Sequence, residues 1–403
     1  MTQQQTPEGA HECTTTIQVF RVFLQLGLTS FGGPVAHIGY FHNAFVVHRR
    51  WLSEQAYADL VALCQFLPGP ASSQVGMGIG LTRAGVPGAL AAWLGFTLPS
   101  ALLLMGFGYG LLNAADVVPP GVLQGVLVAV VAVVAQAVWG MGRSLCPDLT
   151  RRLLAVVCAG LVLLLQSPLA QLIVIAGSGM AGSLLIQRVQ TQVVEGLRVP
   201  VSSQLAWLSM ALFVSLLVLL PLAALLWPYQ GLALIDSFFR AGSLVFGGGH
   251  VVLPLLESEV VAQGWVDSET FLAGYGAAQL VPGPLFTFAA YLGVVLDLPP
   301  NGLAGGVIAL LAIFLPSFLL LLAILPFWSR LQQVALVRQI MAGVNAGVVG
   351  LLLAALYDPV WKHGVESLLH AGMAIVAALL LIRWSVPVWA VVAAMAVVGG
   401  LVF

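Results

Sequence analysis

The chain has 403 residues, of which 60% are hydrophobic and 7% charged, against about 25% charged in an ordinary globular domain. That composition excludes a soluble core and implies a polytopic membrane protein whose constant partner is the lipid bilayer. A formal net charge of −1 offers no field for nucleic acid or another polyanion.

Residues 1–16 form a polar N-terminal tail with no Lys or Arg and no apolar stretch, so they do not read as a cleavable signal peptide, and the first helix is expected to direct insertion. After Phe23 the chain meets a glycine break, Gly32-Gly33-Pro34, preceded by Thr29 and Ser30. A second break, Pro68-Gly69-Pro70, interrupts the apolar segment 57–82. Each arm of that segment is about a dozen residues, roughly 18 Å of helix, too short for about 30 Å of hydrocarbon. The segment therefore reads as a re-entrant hairpin. Spans follow at 85–111, 119–143, 152–166 and 168–187, then a polar linker at 188–202 and one extra transmembrane helix at 203–228. The second half repeats the plan: a break at Gly247-Gly248-Gly249, another at Pro282-Gly283-Pro284, and spans at 303–327, 339–357, 364–382 and 385–403.

Sliding the chain on itself by about 215 residues superposes these landmarks. QFLPGP at Gln65 to Pro70 meets QLVPGP at Gln279 to Pro284, Trp51 meets Trp265, and Leu98-Pro99-Ser100 meets Leu315-Pro316-Ser317. Two transporter repeats result, 17–187 and 232–403. Eight of the fourteen Lys and Arg residues (Arg49, Arg50, Arg83, Arg143, Arg151, Arg152, Arg188 and Arg198) fall in first-half loops or the linker, which places those loops in the cytoplasm. The odd helix at 203–228 then turns the second half over, and Phe403 is expected on the periplasmic side. The fold class expected is an all-α polytopic membrane protein of two inverted-topology repeats with broken or re-entrant helices, carrying its site at the repeat interface.

A helix that starts inside a membrane presents free N–H groups and the positive end of its dipole, a geometry suited to a tetrahedral oxyanion. The first turn after Pro70 adds the hydroxyls of Ser72 and Ser73 and the amide of Gln74. Ser30, Gly32 and Gly33 build a second terminus; Gly247, Gly248 and the Pro282 break followed by Thr287 are expected to complete four. A buried anion needs a countercharge, and Arg240, seven residues before Gly247, is the candidate, with Asp236 placed to pair with it at i, i+4. Arg21 lies near a helix start and reads as snorkelling. Gln65 and Gln279 either bind substrate or cap freed backbone groups, and Asn345 either gates or joins helices. His37 and His250, with Asp236, are candidates for proton coupling, or else close local hydrogen bonds. Glu257 and Glu259 read as solvated loop charges, with a proton relay as the alternative. Cys13, Cys64, Cys146 and Cys158 are far apart and form no metal or disulfide pattern; no metal and no cofactor are expected. Small-residue stretches such as Gly302 to Gly306 can pack helices within one chain or in a homodimer.

The run Phe23 to Pro34, with Arg49-Arg50-Trp51-Leu52, Gln65 to Pro70, Phe96 to Ser100, Phe246 to His250 and Gln279 to Pro284, resembles the chromate ion transporter (CHR) family in its long, two-domain form. The resemblance covers nearly all of the chain after the tail. It implies a multi-pass inner-membrane carrier that exports chromate from the cytoplasm on the electrochemical gradient and confers chromate resistance, with sulfate as a competing substrate. Gln25 departs from the family pattern, in which a basic residue often precedes the first glycine break; Arg240 keeps that charge in the second half. The alternatives are a carrier of sulfate or another oxyanion, a passive oxyanion channel, and an intramembrane enzyme. The last lacks any visible His-Glu-x-x-His, Gly-x-Ser-x-Gly or paired intramembrane acids, and the chain holds no ATP-binding loop, so no enzymatic activity is expected.

Overall fold

The computed structural model describes residues 15–113, 119–165, 168–186, 201–246, 249–331 and 333–402. Most of the tail and the linker, the paired glycines Gly247 and Gly248, and Phe403 lie outside them. The described residues form an all-α polytopic membrane protein. The first half comprises α1 (Thr16–Thr29), α2 (Gly33–Phe41), α3 (Glu54–Phe66), α4 (Ala71–Asn113), α5 (Pro120–Leu145), α6 (Leu149–Leu165) and α7 (Pro168–Leu185). The extra helix is α8 (Ser203–Leu226). The second half comprises α9 (Gln230–Leu244), α10 (Val252–Leu256), α11 (Ser268–Leu280), α12 (Phe288–Val295), α13 (Gly302–Ile324), α14 (Trp328–Leu331), α15 (Ala335–Ala355), α16 (Lys362–Gly364), α17 (Leu368–Ile382) and α18 (Val388–Val402). Among the described residues five helices are long and apolar enough to cross a membrane, α4, α5, α8, α13 and the run from α15 through α16.

Local sequence accounts for the element ends. Thr15 opens α1 with a capping box: Gln18 N–H donates to Thr15 Oγ1 at 3.2 Å and Thr15 N–H to Gln18 Oε1 at 2.9 Å. At matched places Ser53 caps α3 and Asp267 caps α11, each accepting from the N–H three residues on. Both helices then stop at an extended residue before proline, Leu67 and Val281, because the proline ring disfavours the helical conformation of its predecessor. The arms of the first hairpin are α3 and the start of α4, which kinks at Ala84–Gly85 before the span proper begins. In the second half the equivalent helix is cut in two, a short α12 and then α13.

Long-range packing crosses the halves. The central helix of the first half, α5, packs on α17 and α18 of the second, while its counterpart α15 packs on α6 and α7 of the first. The contacts are reciprocal: Gly125 lies against the backbone of Met395 and Gly399, and Gly343 against that of Ser178 and Gly182. Aromatic side chains fill the hairpin interiors, with Phe41 packed on Phe23 and Phe96 at centroid distances of 5.6 and 5.0 Å and Phe288 on Phe271, Tyr275 and Tyr291 in the second half. By contrast α8 is exposed nearly all round; Trp207 and Leu208 are each 66% exposed, as expected of a lipid-facing helix.

Candidate functional site

The breaks of one half hydrogen-bond to those of the other. Gly69 N–H donates to Val245 O at 2.6 Å, and Gly283 N–H to Ser30 O at 3.0 Å. Each proline-glycine-proline break therefore meets the glycine-rich break of the opposite repeat, an exchange with the symmetry of an isologous, two-fold pair. The same glycines are seated on the opposite repeat's Leu-Pro-Ser. Gly69 has φ 118° and a Cβ there would collide with Ser317 Oγ; Gly283 has φ 103° and a Cβ would sit 2.7 Å from Ser100 Oγ. Only glycine fits either place. Gly249 completes the junction, facing Pro34 across the interface.

Around this junction buried polar groups converge. His37 is fully buried and braces two breaks, with Nε2 3.2 Å from Ser30 O and Nδ1 3.3 Å from Ser72 Oγ. The carbonyl can only accept, so Nε2 carries the proton and the Ser72 hydroxyl donates to Nδ1. Gln74 Nε2 donates to Pro68 O at 2.7 Å, satisfying a carbonyl freed by the break. Gln74 Oε1, Ser30 Oγ, Ser73 Oγ, Thr97 Oγ1, Ser317 Oγ and Gln279 Nε2 are buried without a protein partner. Buried polar atoms are normally satisfied, so the orphans that the contacts above tie to the breaks, on Ser30, Ser73, Gln74 and Ser317, mark a place built to receive polar matter. The first turn of α4 adds N–H groups without intrahelical partners at Ala71, Ser72 and Ser73, since the first helical bond runs from Gln74 N–H to Pro70 O.

Several expectations change. Of the four expected helix termini, the third is a 3-10 turn, Gly249–Val251, followed by the five-residue α10, and the fourth opens with the 3-10 turn Leu285–Thr287. The strong N-termini at the junction are those of α2 and α4. Thr287 Oγ1 donates to Pro284 O at 2.7 Å and caps its own turn. Gln65 lies on an exposed face of α3. His250 Nδ1 meets Tyr275 OH at 2.7 Å, a partner unlike those of His37. Arg240 pairs with Asp236 as expected, Nη1 to Oδ2 at 3.1 Å. It is also forked onto Glu259, Nε to Oε1 at 3.0 Å and Nη2 to Oε2 at 2.7 Å. Glu259 is thus no solvated loop charge: the chain after Gly249 folds back along α9, and its side chain is 12% exposed. Asp59, absent from the sequence candidates, is fully buried in α3 with both carboxylate oxygens unpartnered. Its signal was available, since it is the only charged residue of 57–82.

Residues 17–183 and, separately, residues 232–400 match the family model described as "Chromate transporter". The chain belongs to the chromate transporter family. It is 31% identical to the chromate transport protein of Pseudomonas aeruginosa over 368 residues, 90% of this chain and 85% of that one. It is 26% identical to the chromate transport protein of Cupriavidus metallidurans, covering 92% of this chain and 88% of the relative. A shorter relative, the uncharacterized transporter YwrB of Bacillus subtilis, aligns at 32% identity over 147 residues, 36% of this chain and 70% of its own length. No solved structure matches the chain. Within this chromate transporter family member, the two stretches matched by the family model are those whose breaks meet reciprocally. The orphaned polar atoms belong to a transporter, a class of protein that receives a polar solute and releases it.

Proposed function

We propose that this chain is a secondary active carrier that exports chromate from the cytoplasm across the inner membrane and so confers chromate resistance. The observation that carries the reading is the meeting of breaks from both repeats around buried, unpartnered hydroxyl and amide groups at the start of α4. A tetrahedral dianion suits that place because several neutral donors can point at it at once, and the α4 dipole adds favourable potential. Ser30, Ser73 and the backbone N–H groups of the α4 first turn would hold its oxygens, with Gln74, Gln279 and Ser317 around them. Arg240 would supply countercharge from the α9 side. Loop cations placed in the cytoplasm give the two halves opposite orientations, the arrangement that lets one central site face either side in turn.

The test is uptake of labelled chromate and of labelled sulfate into inside-out vesicles, with and without an imposed gradient. Gradient-dependent chromate accumulation that falls on Ser73→Ala and Ser317→Ala is the expected result. Movement of sulfate alone would keep the carrier and reassign its substrate; chromate movement that ignores the gradient would make it a channel.

A further inference from the structure

Arg240 does not await an anion with its donors free. Its two-point edge, Nε and Nη2, is held by Glu259, and its remaining Nη1 by Asp236. With both acids ionised the cluster carries a net charge of −1, which repels the dianion that the guanidinium should attract. Among the described residues of the helices packed on α9, none offsets this. α8, α10 and α13, all packed on α9, contain no titratable residue, and α9 itself contributes only Asp236 and Arg240. Glu259 lies on a π-helical turn, Glu257–Val261, packed on α9, α10 and α11. The other titratable groups there are Glu257 on the same turn, and Glu269 and Tyr275 on α11. Glu269 is exposed, and the Tyr275 hydroxyl is committed to His250. Glu257 adds negative charge and does not relieve it.

We infer that Glu259 is the proton-responsive latch of Arg240: an oxyanion takes the Nε and Nη2 edge as Glu259 leaves it and accepts one proton. The inference rests on the carrier reading above. Glu259 rather than Asp236 is the group displaced because it occupies the two-point fork, the face of a guanidinium that matches two oxygens of one oxyanion. Asp236 holds a single nitrogen from the same helix, one turn back, and keeps the guanidinium aimed. The π-helical turn beneath Glu259 is an irregular element of the type that accumulates at functional positions. After exchange the local balance is one protonated acid, an Arg240–Asp236 pair of zero net charge, and the bound dianion. The anion and proton then move together as a net monoanion, whose exit an inside-negative potential still favours. The first repeat has no equivalent latch. The positions matching Asp236, Arg240 and Glu259 there are Arg21, Gln25 and Ala44, so one proton per cycle is expected.

The experiment uses the full chain in detergent, in weak buffer with a pH-indicator dye, in the alkaline range where chromate is fully ionised. Calorimetry on the same samples gives the chromate Kd. Wild type should take up about one proton per chromate bound, with Kd weakening about tenfold per pH unit, as linkage requires. Glu259→Gln should take up none and show a Kd that is flat with pH, whereas Glu259→Asp, which still titrates, should retain uptake. Chromate binding by wild type without proton uptake overturns the latch and leaves the carrier reading standing, even where the Gln variant fails to fold. Persistent uptake in a folded Glu259→Gln also overturns it. Absence of chromate binding by wild type overturns the site reading itself, so the two failures are told apart.

Discussion

Gly69→Ala tests the crossed junction most directly. At φ 118° an alanine is strained by about 1–3 kcal/mol. Its Cβ would also run into Ser317 Oγ, with Gln74 Nε2 2.9 Å away, and forcing a methyl into a filled site costs about 1–3 kcal/mol more. If the break shifts to relieve the clash, the 2.6 Å bond from Gly69 N–H to Val245 O is weakened, a further loss of about 1 kcal/mol. A total of about 3–7 kcal/mol is a large fraction of a typical folding free energy. The assay is thermal or denaturant unfolding of the detergent-solubilised protein, run with Ser317→Ala and with the double variant. Removing the Ser317 hydroxyl clears the nearest obstacle, so the double variant should recover about 1–2 kcal/mol relative to additivity, while the φ strain remains. Gly283→Ala with Ser100→Ala should behave likewise, because the same seat is built from the other half. Wild-type stability in Gly69→Ala, or strict additivity with Ser317→Ala, would refute the contact between the first repeat's break and the second repeat's helix.

Arg240→Gln leaves Asp236 and Glu259 facing each other without a cation and should destabilise the fold by about 3 kcal/mol as well as lose transport; restoration of thermal stability in Arg240→Gln with Glu259→Gln checks that the loss is electrostatic. His37→Ala removes the brace between Ser30 O and Ser72 Oγ and should cost about 2–4 kcal/mol, measured by unfolding, whereas His37→Asn should recover part of it. Asp59→Asn removes a fully buried, unpartnered carboxylate and should leave the melting temperature unchanged or higher; a clear fall would show that the carboxylate has a partner in the membrane. A reporter active only in the cytosol, fused after Phe403, should be silent, and activity there would break the inverted orientation of the halves.

What was legible in the sequence is what proline, glycine and caps dictate locally. Single prolines such as Pro99 and Pro316 are carried inside α4 and α13. A glycine between two prolines, as at Pro68 to Pro70 and Pro282 to Pro284, ends a helix on local grounds, so the breaks at the ends of α3 and α11 could be read without a partner. Ser53 and Asp267 announce helix starts in the same way. The contents of the site were less legible because they depend on what lies opposite. Thr287 was a candidate ligand by its position after a break, yet a 3-10 turn brings Pro284 O within reach of its hydroxyl and the bond is made locally. Glu259 stands beside Glu257 and Ser258 in a stretch whose next charges are Asp267 and Glu269, the pattern of an acidic loop; only the return of the chain along α9 brings it to Arg240. Ser100 and Ser317 were visible as repeat landmarks, and their role as seats for Gly283 and Gly69 required the halves to be placed together.

The crossed packing also bears on how such a protein can move. Were the two sequence repeats two bodies in space, alternating access would be a rocking of one against the other about a smooth surface. Here α5 is fastened to α17 and α18, and α15 to α6 and α7, by backbone-to-backbone contacts at Gly125, Gly399, Gly343 and Gly182 that leave no room for sliding. Close-packed contacts of that kind are held or broken, not deformed gradually. The bodies that stay rigid are therefore composites, each drawn from both halves, and a movement that exposes the α4 start must occur between these composites and the helices that carry the breaks. The breaks themselves are joined to one another by single hydrogen bonds, Gly69 to Val245 and Gly283 to Ser30. Cysteine pairs placed beside these glycines, where α5 faces α18 or α7 faces α15, should when cross-linked leave transport intact if the composites are rigid. A cross-link between the α4 start and the 245 break should stop it, and full transport with that cross-link closed would exclude opening at the junction.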